Sequence, residues 1–388
     1  MKNSSWLRSG SAQLSSTRGR ALRVVALTIC SAAAALGVSA KDRPSRHYQQ
    51  TNLVSDLPNL ATVTDPHLVN PWGLAASAAG PWWVADNGTG LSTLYNGAGA
   101  VQSLVVTVPK AVGSSDAAAP TGIVFNSVAT DFLVGANQPA RFIFATEEGT
   151  ISGWNSGPNA VLKVTNPGAV YKGLTLAAMN GANFLYAANF GGDTVDVFDR
   201  NFAPVALGED AFRDRAIPGD YAPFNVQRVG DAIYVTFAKK EAGSIDELHG
   251  PGRGLVDVFS PDGVLRHRLR WGPWFNAPWG VVRAPADFGA FSDMILVGQF
   301  GSGKIAAFDP ESGEFRGLLR SEHGRALSIE GLWALAFGNG ASAGATNTLF
   351  FTAGIEDEAH GLFGTITPAA NNKGDDENND KESEDDQD

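Results

Sequence analysis

A turn followed by a short apolar strand recurs six times along this chain, and this repeat limits the possible folds more than any other feature of the sequence. The copies start at Asn70, Pro120, Tyr171, Pro223, Ala277 and Ile329. The residues taken as equivalent are Gly73, Gly122, Gly173, Asn225, Gly280 and Gly331, at steps of 49, 51, 52, 55 and 51 residues. A period of this length indicates an array of similar supersecondary units.

Each unit has the pattern of several short strands. The first strand leads to a second apolar strand, such as residues 82–86 (WWVAD), and a polar loop then leads to a third strand that ends in a turn, such as residues 258–263 (VFSPDG). A fourth strand follows in most units, for example residues 264–271. Six such units predict an all-β fold, a six-bladed β-propeller with four-stranded antiparallel blades.

The sixth unit ends after its third strand, residues 361–367 (GLFGTIT), so its fourth strand has to come from elsewhere. Residues 48–57, which precede the first unit, are the natural donor. Pairing the N-terminal strand with the last blade would close the ring and remove an exposed sheet edge.

The first 40 residues are expected to be a signal peptide. Residues 1–23 carry basic side chains and no acid, residues 24–38 form an apolar run, and residues 38–40 (VSA) match a small-residue cleavage site. The run is too short to favour a membrane-spanning helix. We therefore expect an exported protein, periplasmic or extracellular, with no membrane insertion after cleavage. Cys30, the only cysteine, lies in this segment, so the mature chain would contain no disulfide.

The C-terminal residues 371–388 hold nine acidic residues, two lysines and no apolar side chain, which predicts a disordered acidic tail. The propeller would then occupy residues 41–370. The whole chain has a formal net charge of −11. Nucleic acids and anionic membranes require basic protein surfaces, so this charge argues against both as partners.

Several longer strings of residues resemble a known group of proteins. They are residues 52–58 (NLVSDLP), 86–97 (DNGTGLSTLYNG), 145–154 (ATEEGTISGW), 331–340 (GLWALAFGNG) and 351–364 (FTAGIEDEAHGLFG). In these strings the chain resembles a bacterial family of exported NHL-like six-bladed propellers, often associated with the PEP-CTERM sorting system, whose function is uncharacterised. More remotely, it is similar to gluconolactonase and calcium-dependent phosphotriesterase propellers. The remote likeness is one of fold, which does not by itself carry function.

In a propeller, the start of each first strand and the loop between the second and third strands lie on the same face, called here the top face. The polar residues of these loops are the candidate ligand-binding residues Asp86, Asn87, Glu147, Glu148, Asn189, Lys239, Gln299, Glu356 and Asp357. Tight hairpin loops also favour Asp, Asn and Gly, so turn chemistry is the alternative explanation. Residues 239–253 form a longer, more charged loop that is expected to overhang this face.

A calcium site is the metal centre that the sequence allows. Glu330, directly before an apolar inner strand, resembles the metal-binding glutamate of lactonase-type propellers, and Asn225, which replaces the usual glycine, is its best companion. Carboxylate and amide oxygens suit a hard cation such as calcium. A buried carboxylate needs a partner, so an ion pair of Glu330 with a lysine is the alternative.

Other motifs support no particular chemistry. Residues 298–304 (GQFGSGK) copy most of a phosphate-binding loop, but Ile305 lacks the hydroxyl that would hold magnesium, and a strand follows instead of a helix. The six histidines have no paired spacing that would suit zinc. The recurring Trp72, Trp279 and Trp333 are expected to pack between blades rather than to stack on a ligand.

Two functions remain compatible with the sequence. The first is a binding or scaffold protein that presents its top face to an unknown protein, peptide, glycan or small molecule, and the absence of a complete catalytic constellation favours it. The second is a calcium-dependent hydrolase of a lactone or phosphoester, with the metal in the central channel and an acid such as Asp86 or Glu147 as the base.

Overall fold

The computed structural model describes residues 45–370, which form an all-β structure. Numbered in chain order, the strands are β1 Tyr48–Ser55, β2 Val63–Thr64, β3 Pro71–Ala76, β4 Trp82–Asp86, β5 Leu91–Tyr95, β6 Val106–Thr107, β7 Pro120–Phe125, β8 Leu133–Gly135, β9 Gln138–Pro139, β10 Phe142–Thr146, β11 Thr150–Trp154, β12 Val161–Thr165, β13 Tyr171–Met179, β14 Ala182–Asn189, β15 Thr194–Phe198, β16 Tyr221–Val229, β17 Ala232–Lys239, β18 Leu255–Phe259, β19 Leu265–Arg268, β20 Pro278–Arg283, β21 Ile295–Gln299, β22 Ile305–Phe308, β23 Phe315–Leu318, β24 Leu332–Phe337, β25 Leu349–Ile355 and β26 His360–Pro368. Within these residues the helical structure is one 3-10 turn, Gly289–Phe291.

Six antiparallel sheets form the blades of a ring. Blade 1 contains β3–β6, blade 2 contains β7 and β10–β12, blade 3 contains β13–β15, blade 4 contains β16–β19, and blade 5 contains β20–β23. Blade 6 contains β24–β26 together with β1. A small hairpin of β8 and β9 lies outside the blades, and β2 pairs in parallel with β1. The predicted six-bladed propeller is confirmed.

The innermost strands β3, β7, β13, β16, β20 and β24 pack against one another in turn, and β24 contacts β3 to complete the ring. A Cβ atom added to Gly73 would lie 2.5 Å from the backbone oxygen of Thr121 on the next inner strand, and one added to Gly280 would lie 2.6 Å from that of Trp333. Side chains do not approach backbone so closely, so these positions require glycine. The glycine repeat in the sequence therefore marks the close approach of neighbouring inner strands.

The assignment of Gly331 to this repeat is wrong by three residues. The register of β24 with β25 repeats that of β3 with β4, which makes Leu335 equivalent to Leu74. Ala334 is therefore the residue that corresponds to Gly73. Gly331 lies instead in the turn before β24, where its φ of 61° falls in the left-handed region that favours glycine.

The N-terminal strand closes the ring, as the sequence predicts. β1 pairs antiparallel with β26 along its length, with Tyr48 opposite Pro368 and Ser55 opposite Leu362. The Tyr48 ring is fully buried, and its hydroxyl donates a hydrogen bond to the carbonyl oxygen of Phe288 at 3.0 Å. The closing strand therefore completes the sheet of blade 6 and also connects that blade to the β20–β21 loop of blade 5.

Blade 3 ends after three paired strands. Only an isolated bridge between Phe198 and Pro204 extends the sheet beyond β15. Pro204 has no N–H group to donate, so a regular fourth ladder does not form there. The following segment instead packs Val205 and Leu207 against the apolar core between blades 3 and 4.

The three recurring tryptophans come from blades 1, 5 and 6 and pack against one another in the centre of the ring, which agrees with the expected packing between blades. Trp72 and Trp333 stack with ring centroids 3.6 Å apart, and Trp279 meets both edge-on at 6.3 and 5.8 Å. The apolar cluster at the centre, called here the aromatic plug, comprises Trp72, Phe190, Phe224, Trp279, Phe300 and Trp333. Four of these side chains come from the inner strands β3, β16, β20 and β24, and the other two, Phe190 and Phe300, directly follow the second strands β14 and β21.

Two sequence-based predictions concern parts of the chain that lie outside the described residues. They are the signal peptide, residues 1–40, and the acidic tail, residues 371–388. Between residues 45 and 370, no helix has the length and apolar character needed to cross a membrane.

Deletion of residues 41–58 should destabilise the whole ring, because it removes β1 and leaves the edge of β26 unpaired. In a thermal melt followed by circular dichroism, the truncated protein should unfold at a markedly lower temperature than residues 41–388. Deletion of residues 371–388 is the control and should leave the melting temperature unchanged. If both truncated proteins melt like the parent, β1 does not hold the ring closed.

Candidate functional site

The top face is organised as the repeat predicts. The backbone N–H of Asn87, directly after β4, donates to the carbonyl oxygen of Asn70, directly before β3, at 3.1 Å. The N–H of Glu147 makes the same bond to Ala119 at 3.1 Å in blade 2. The ends of second strands therefore lie beside the starts of first strands, and the polar residues that follow them surround the mouth of the central channel.

A single lysine lies against the aromatic plug. The second residue of the repeated inner-strand pattern is Trp72, Thr121, Lys172, Phe224, Trp279 or Trp333 in blades 1 to 6, according to the strand registers. Lys172 is the charged member of this set and is only 1% exposed. Its ammonium nitrogen lies 5.3 Å from the ring centres of Trp72 and Phe190, within the range of a cation–π interaction.

Three carboxylates compensate the buried charge of Lys172. Its Nζ atom lies 3.3 Å from Oε1 of Glu147, 3.4 Å from Oε2 of Glu247 and 3.7 Å from Oδ1 of Asp246. Burial alone would lower the pKa of Lys172, but the charges of Glu247, Glu147 and Asp246 outweigh it and raise that pKa. The lysine is therefore a charged ammonium that joins β13 to the β10–β11 loop and the β17–β18 loop, and it is not a neutral nucleophile.

The loop between β17 and β18 supplies two of these carboxylates, and it overhangs the channel mouth as expected. Glu247 forms an isolated antiparallel β-bridge with Lys240, and the backbone N–H of Leu248 donates to the carbonyl oxygen of Lys239 at 2.7 Å. These bonds direct Glu247 inwards, where its side chain is only 5% exposed. The ion pair between Glu247 and Lys172 therefore fixes the middle of this loop against the aromatic plug.

His249 fastens the same loop a second time. Its Nε2 lies 3.3 Å from Oε1 of Glu247, and its ring meets that of Phe300 edge-on at 5.0 Å. The hydrogen bond to Glu247 raises the pKa of His249, and burial only partly offsets this. The next residue, Gly250, donates its N–H to Oδ1 of Asn276 at 2.6 Å.

Glu358 reaches the channel mouth from a strained turn in blade 6. Glu356, Asp357 and Glu358 have φ values of 52°, 52° and 66°, three successive non-glycine residues in the left-handed region. Such backbone costs roughly 1–3 kcal/mol per residue and persists only where its surroundings enforce it. Oε2 of Glu358 accepts a hydrogen bond from Nδ2 of Asn70 at 2.6 Å, and Oδ1 of Asn70 accepts one from Trp333 at 3.1 Å.

Glu358 has an unusual protonation equilibrium. Burial raises its pKa to about 7, and the charges of Glu247 and Glu147 act in the same direction. The hydrogen bond from Asn70 and the charge of Lys172 oppose this rise but do not cancel it. Glu358 therefore exchanges a proton with solvent near neutral pH, which ordinary glutamates do not.

A chain of amide side chains links the two carboxylate groups. Nδ2 of Asn70 lies 3.3 Å from Oδ1 of Asn87, and Nδ2 of Asn87 donates to Oε2 of Glu147 at 3.1 Å. We call the whole set the channel-mouth cluster, and its members are Asn70, Asn87, Glu147, Lys172, Asp246, Glu247, His249 and Glu358. The cluster holds four carboxylates, one ammonium and one imidazole on an aromatic floor.

Two of the nine predicted ligand-binding residues, Asn87 and Glu147, lie in the channel-mouth cluster. Four others have structural partners that use their polar atoms. Asp86 is fully buried and accepts from the N–H of Thr93 at 2.9 Å, and burial raises its pKa well above the usual value. These contacts favour the alternative of turn and strand chemistry for Asp86.

Glu148, Asn189 and Gln299 also act within their own blades. Glu148 accepts from the N–H of Ala119 at 2.9 Å. Asn189 accepts from two loop N–H groups and donates to Asp196. Gln299 is fully buried and accepts from the N–H of Asn276 at 2.9 Å.

The remaining three predicted residues lie at the rim. Lys239 pairs with Asp220 at 2.8 Å, on the surface of blade 4. Glu356 and Asp357 are exposed in the left-handed turn that carries Glu358. The residue of this turn that contributes to the site is therefore Glu358, whereas the sequence pattern predicted Glu356 and Asp357.

Glu330 and Asn225 do not have the surroundings that the calcium prediction assumes. Glu330 is exposed, not buried, and its Oε1 accepts from the N–H of Glu356 at 3.1 Å. Asn225 is buried in the ring, where its Nδ2 donates to the carbonyl oxygen of Trp279 at 2.8 Å. Within residues 45–370, no group of three or more His, Cys, Asp or Glu side chains has a geometry that would hold a metal ion.

Sequence reasoning missed Lys172, Glu247 and Glu358 as members of the site. A signal for Lys172 was present, because it stands in an apolar inner strand at the position where other units have tryptophan. Glu247 lies within the loop that the sequence singled out, but no pattern selects it from the neighbouring charges. Glu358 depends on the backbone of the turn, which its sequence does not reveal.

The chain has relatives among viral proteins. The uncharacterised protein R648 of Acanthamoeba polyphaga mimivirus is 30% identical over 327 residues, which span 81% of this chain and 78% of the viral protein. The chain belongs to the same family as R648. No family model matches it. R648 is itself uncharacterised, so this membership assigns no activity.

Solved propellers resemble the fold at low sequence identity. Virginiamycin B lyase from Staphylococcus aureus is 13% identical, with a TM-score of 0.47 over 82% of this chain and 98% of that chain. A gluconolactonase from Xanthomonas campestris is 15% identical, with a TM-score of 0.38 over 59% of this chain and 83% of that chain. Neither likeness bears on function.

Lys172→Met should destabilise the protein by about 3–5 kcal/mol, because it leaves the buried carboxylates of Glu147 and Glu247 without a cation. Unfolding in urea measures this change in free energy. Lys240→Met is the matched control, since Lys240 pairs with Asp193 at 2.7 Å on the surface, and it should cost only about 0–1 kcal/mol. Equal effects of the two substitutions would contradict the central role of Lys172.

The free energy of unfolding should depend on pH through Glu358. Its folded pKa of about 7 lies above the ordinary value of 4.5, so the folded state binds this proton more tightly than the unfolded state. The resulting stability is present below about pH 4.5 and is lost as the pH rises through 7. Between pH 5 and pH 8, Glu358→Gln should remove a decline of about 1–3 kcal/mol that the parent shows.

The exposed Asp357→Asn is the control for this pH dependence. It changes the same charge in the same turn and should retain the decline of the parent. Denaturant titrations at pH 5, 6, 7 and 8 make the comparison. Identical pH profiles for the parent and for Glu358→Gln would show that Glu358 does not titrate in this range.

Proposed function

We propose that the protein is an exported binding propeller whose top face takes a positively charged ligand, such as an amine or a basic peptide, at the channel mouth. It would act outside the cytoplasm, as the signal-like N-terminal sequence suggests, and would be related to the bacterial NHL-like propellers that its motifs resemble. In this role the propeller is a scaffold for recognition. Among residues 45–370 we find no complete set of catalytic side chains that would favour an enzymatic reaction.

The excess of negative charge around Glu358 carries this proposal. Lys172 is engaged by Glu147, Asp246 and Glu247, so the hydrogen-bond partner of Glu358 is an amide, and no cation within residues 45–370 pairs with it. A carboxylate so placed is costly to ionise, and its raised pKa expresses that cost. An incoming ammonium or guanidinium group would supply the missing charge.

The strained turn supports the same interpretation. Three successive left-handed residues keep Glu358 directed inwards, although an exposed glutamate would need no such backbone. Strain of this kind is concentrated at functional sites, where the structure holds a group in place for a ligand. Asp246, whose side chain is 62% exposed, and the half-exposed His249 form the rim from which a ligand would approach.

Calorimetric titration with spermidine at pH 8 tests the proposal on the protein lacking residues 1–40. We expect saturable binding that Glu358→Gln weakens about tenfold, since a charge-assisted hydrogen bond contributes about 1.5–3 kcal/mol. Binding should also weaken from pH 8 to pH 6, because Glu358 is ionised above its pKa of about 7 and protonated below it. Glu356→Gln, which changes an exposed charge beside it, should bind like the parent.

Two outcomes would contradict the proposal. The first is spermidine binding that does not saturate, or that Glu358→Gln and Glu356→Gln weaken equally. Either result would indicate general attraction to an acidic surface. The second is binding of calcium chloride that Glu330→Gln abolishes and Glu358→Gln leaves intact. That result would favour the calcium-dependent hydrolase, with the metal at Glu330 and Asn225, over the binding protein proposed here.

A further inference from the structure

A pocket opens on the face opposite the channel-mouth cluster, where the inner strands end. It has a volume of about 510 Å³ and narrows into a neck of about 120 Å³ that leads towards the aromatic plug. Residues shared by the pocket and the neck are Leu74, Ile123, Leu174, Gln227, Ala336 and Phe337. Volumes of roughly 300–1,000 Å³ with apolar walls are typical of small-molecule sites.

The neck ends within the ring and is separate from the top face. Trp279 and Asn225 line its inner end, and Trp279 belongs to the aromatic plug. The amide of Asn225 is already bonded to the carbonyl oxygen of Trp279 at 2.8 Å, so it contributes no free polar group. A ligand in this pocket would contact apolar side chains together with a similar share of polar atoms.

Arg228 gives the rim of the pocket a positive charge without a carboxylate partner. Its Nε donates to the carbonyl oxygen of Gly230 at 2.9 Å, and none of its nitrogens pairs with an acid among residues 45–370. The nearby Arg266, by contrast, bonds Oδ2 of Asp231 at 3.0 Å. The terminal nitrogens of Arg228 are thus available at the point where the apolar walls meet solvent.

Gln227 supplies a second polar group that faces this space. It precedes Arg228 on β16 and lines both the pocket and the neck. Its side-chain amide makes no hydrogen bond within the described residues, although its neighbours on the strand are well packed. A pocket that offers apolar side chains, the two terminal nitrogens of a guanidinium and one amide matches a molecule with an apolar body and one anionic end.

We propose that this pocket binds a small amphipathic organic anion, a carboxylate or sulfonate whose apolar body enters the neck while its charged group meets Arg228. A guanidinium suits such groups because its two parallel N–H donors match two anionic oxygens. The proposal concerns a second site, and it stands whether or not the top face binds a cation. The apolar walls provide attraction, and Arg228 selects for negative charge.

Two fluorescent probes of nearly the same shape test this selection. They are 8-anilino-1-naphthalenesulfonate, which is an anion, and N-phenyl-1-naphthylamine, its neutral counterpart. The parent should bind one molecule of the sulfonate per chain, more tightly than the neutral probe. Arg228→Gln should weaken sulfonate binding about fivefold, the scale of an exposed charge pair, and leave the neutral probe unaffected.

Arg283→Gln is the matched control. Arg283 occupies the position in β20 that Arg228 occupies in β16, is exposed on the same face and does not line the pocket. This variant should bind both probes like the parent. Unchanged binding of the neutral probe also shows that Arg228→Gln still folds.

The proposal would be overturned by any of three results. One is the absence of saturable sulfonate binding at one site per chain. Another is a parent that does not distinguish the two probes. The third is an equal loss of sulfonate binding in the Arg228 and Arg283 variants, which would indicate attraction to the whole face instead of to this pocket.

Discussion

The close approach of six inner strands around one axis is the constraint on which the rest of the structure depends. Where β3 passes β7, and where β20 passes β24, there is no space for a side chain at the glycine position. The preceding residue of each inner strand is therefore the one whose side chain can reach the centre. With only six such positions, each side chain placed there affects all the others.

Lys172 illustrates the physical consequence of that crowding. Five of the six central positions hold aromatic rings or a threonine, so a lysine in the sixth loses most of its hydration. A buried ammonium is stable only with close opposite charges, and these come from blade 2 and from the loop of blade 4. Burial is the main cause of the raised pKa of Glu358 in blade 6, and the charges of Glu247 and Glu147, which stabilise Lys172, add to it. The charges that stabilise Lys172 therefore also act on the neighbouring carboxylate.

The sequence predicts the parts of this structure that repeat and misses the parts that do not. The number of blades, the face on which the loops lie and the closure by Tyr48–Ser55 all follow from periodic patterns, and the structure confirms them. The pairing of Lys172 with Glu247 joins residues 75 positions apart through an irregular loop, so no local pattern encodes it. Glu330 is expected to be buried because it precedes an apolar inner strand, but that strand begins only at Leu332 and the Glu330 side chain is exposed.

The closing strand has a consequence for the order in which the ring is assembled. Among the described strands β1 is synthesised first, yet Ser55 bonds Gly361, which lies 306 residues further along the chain. Blades 1 to 5 draw their strands from consecutive sequence and can form as local units during synthesis, whereas blade 6 cannot be completed until the last strand has emerged. Contacts between such distant segments carry the largest loop-closure entropy and are slow to form. We therefore expect ring closure to be a slow step of folding, and β1 has no partner strand until it takes place.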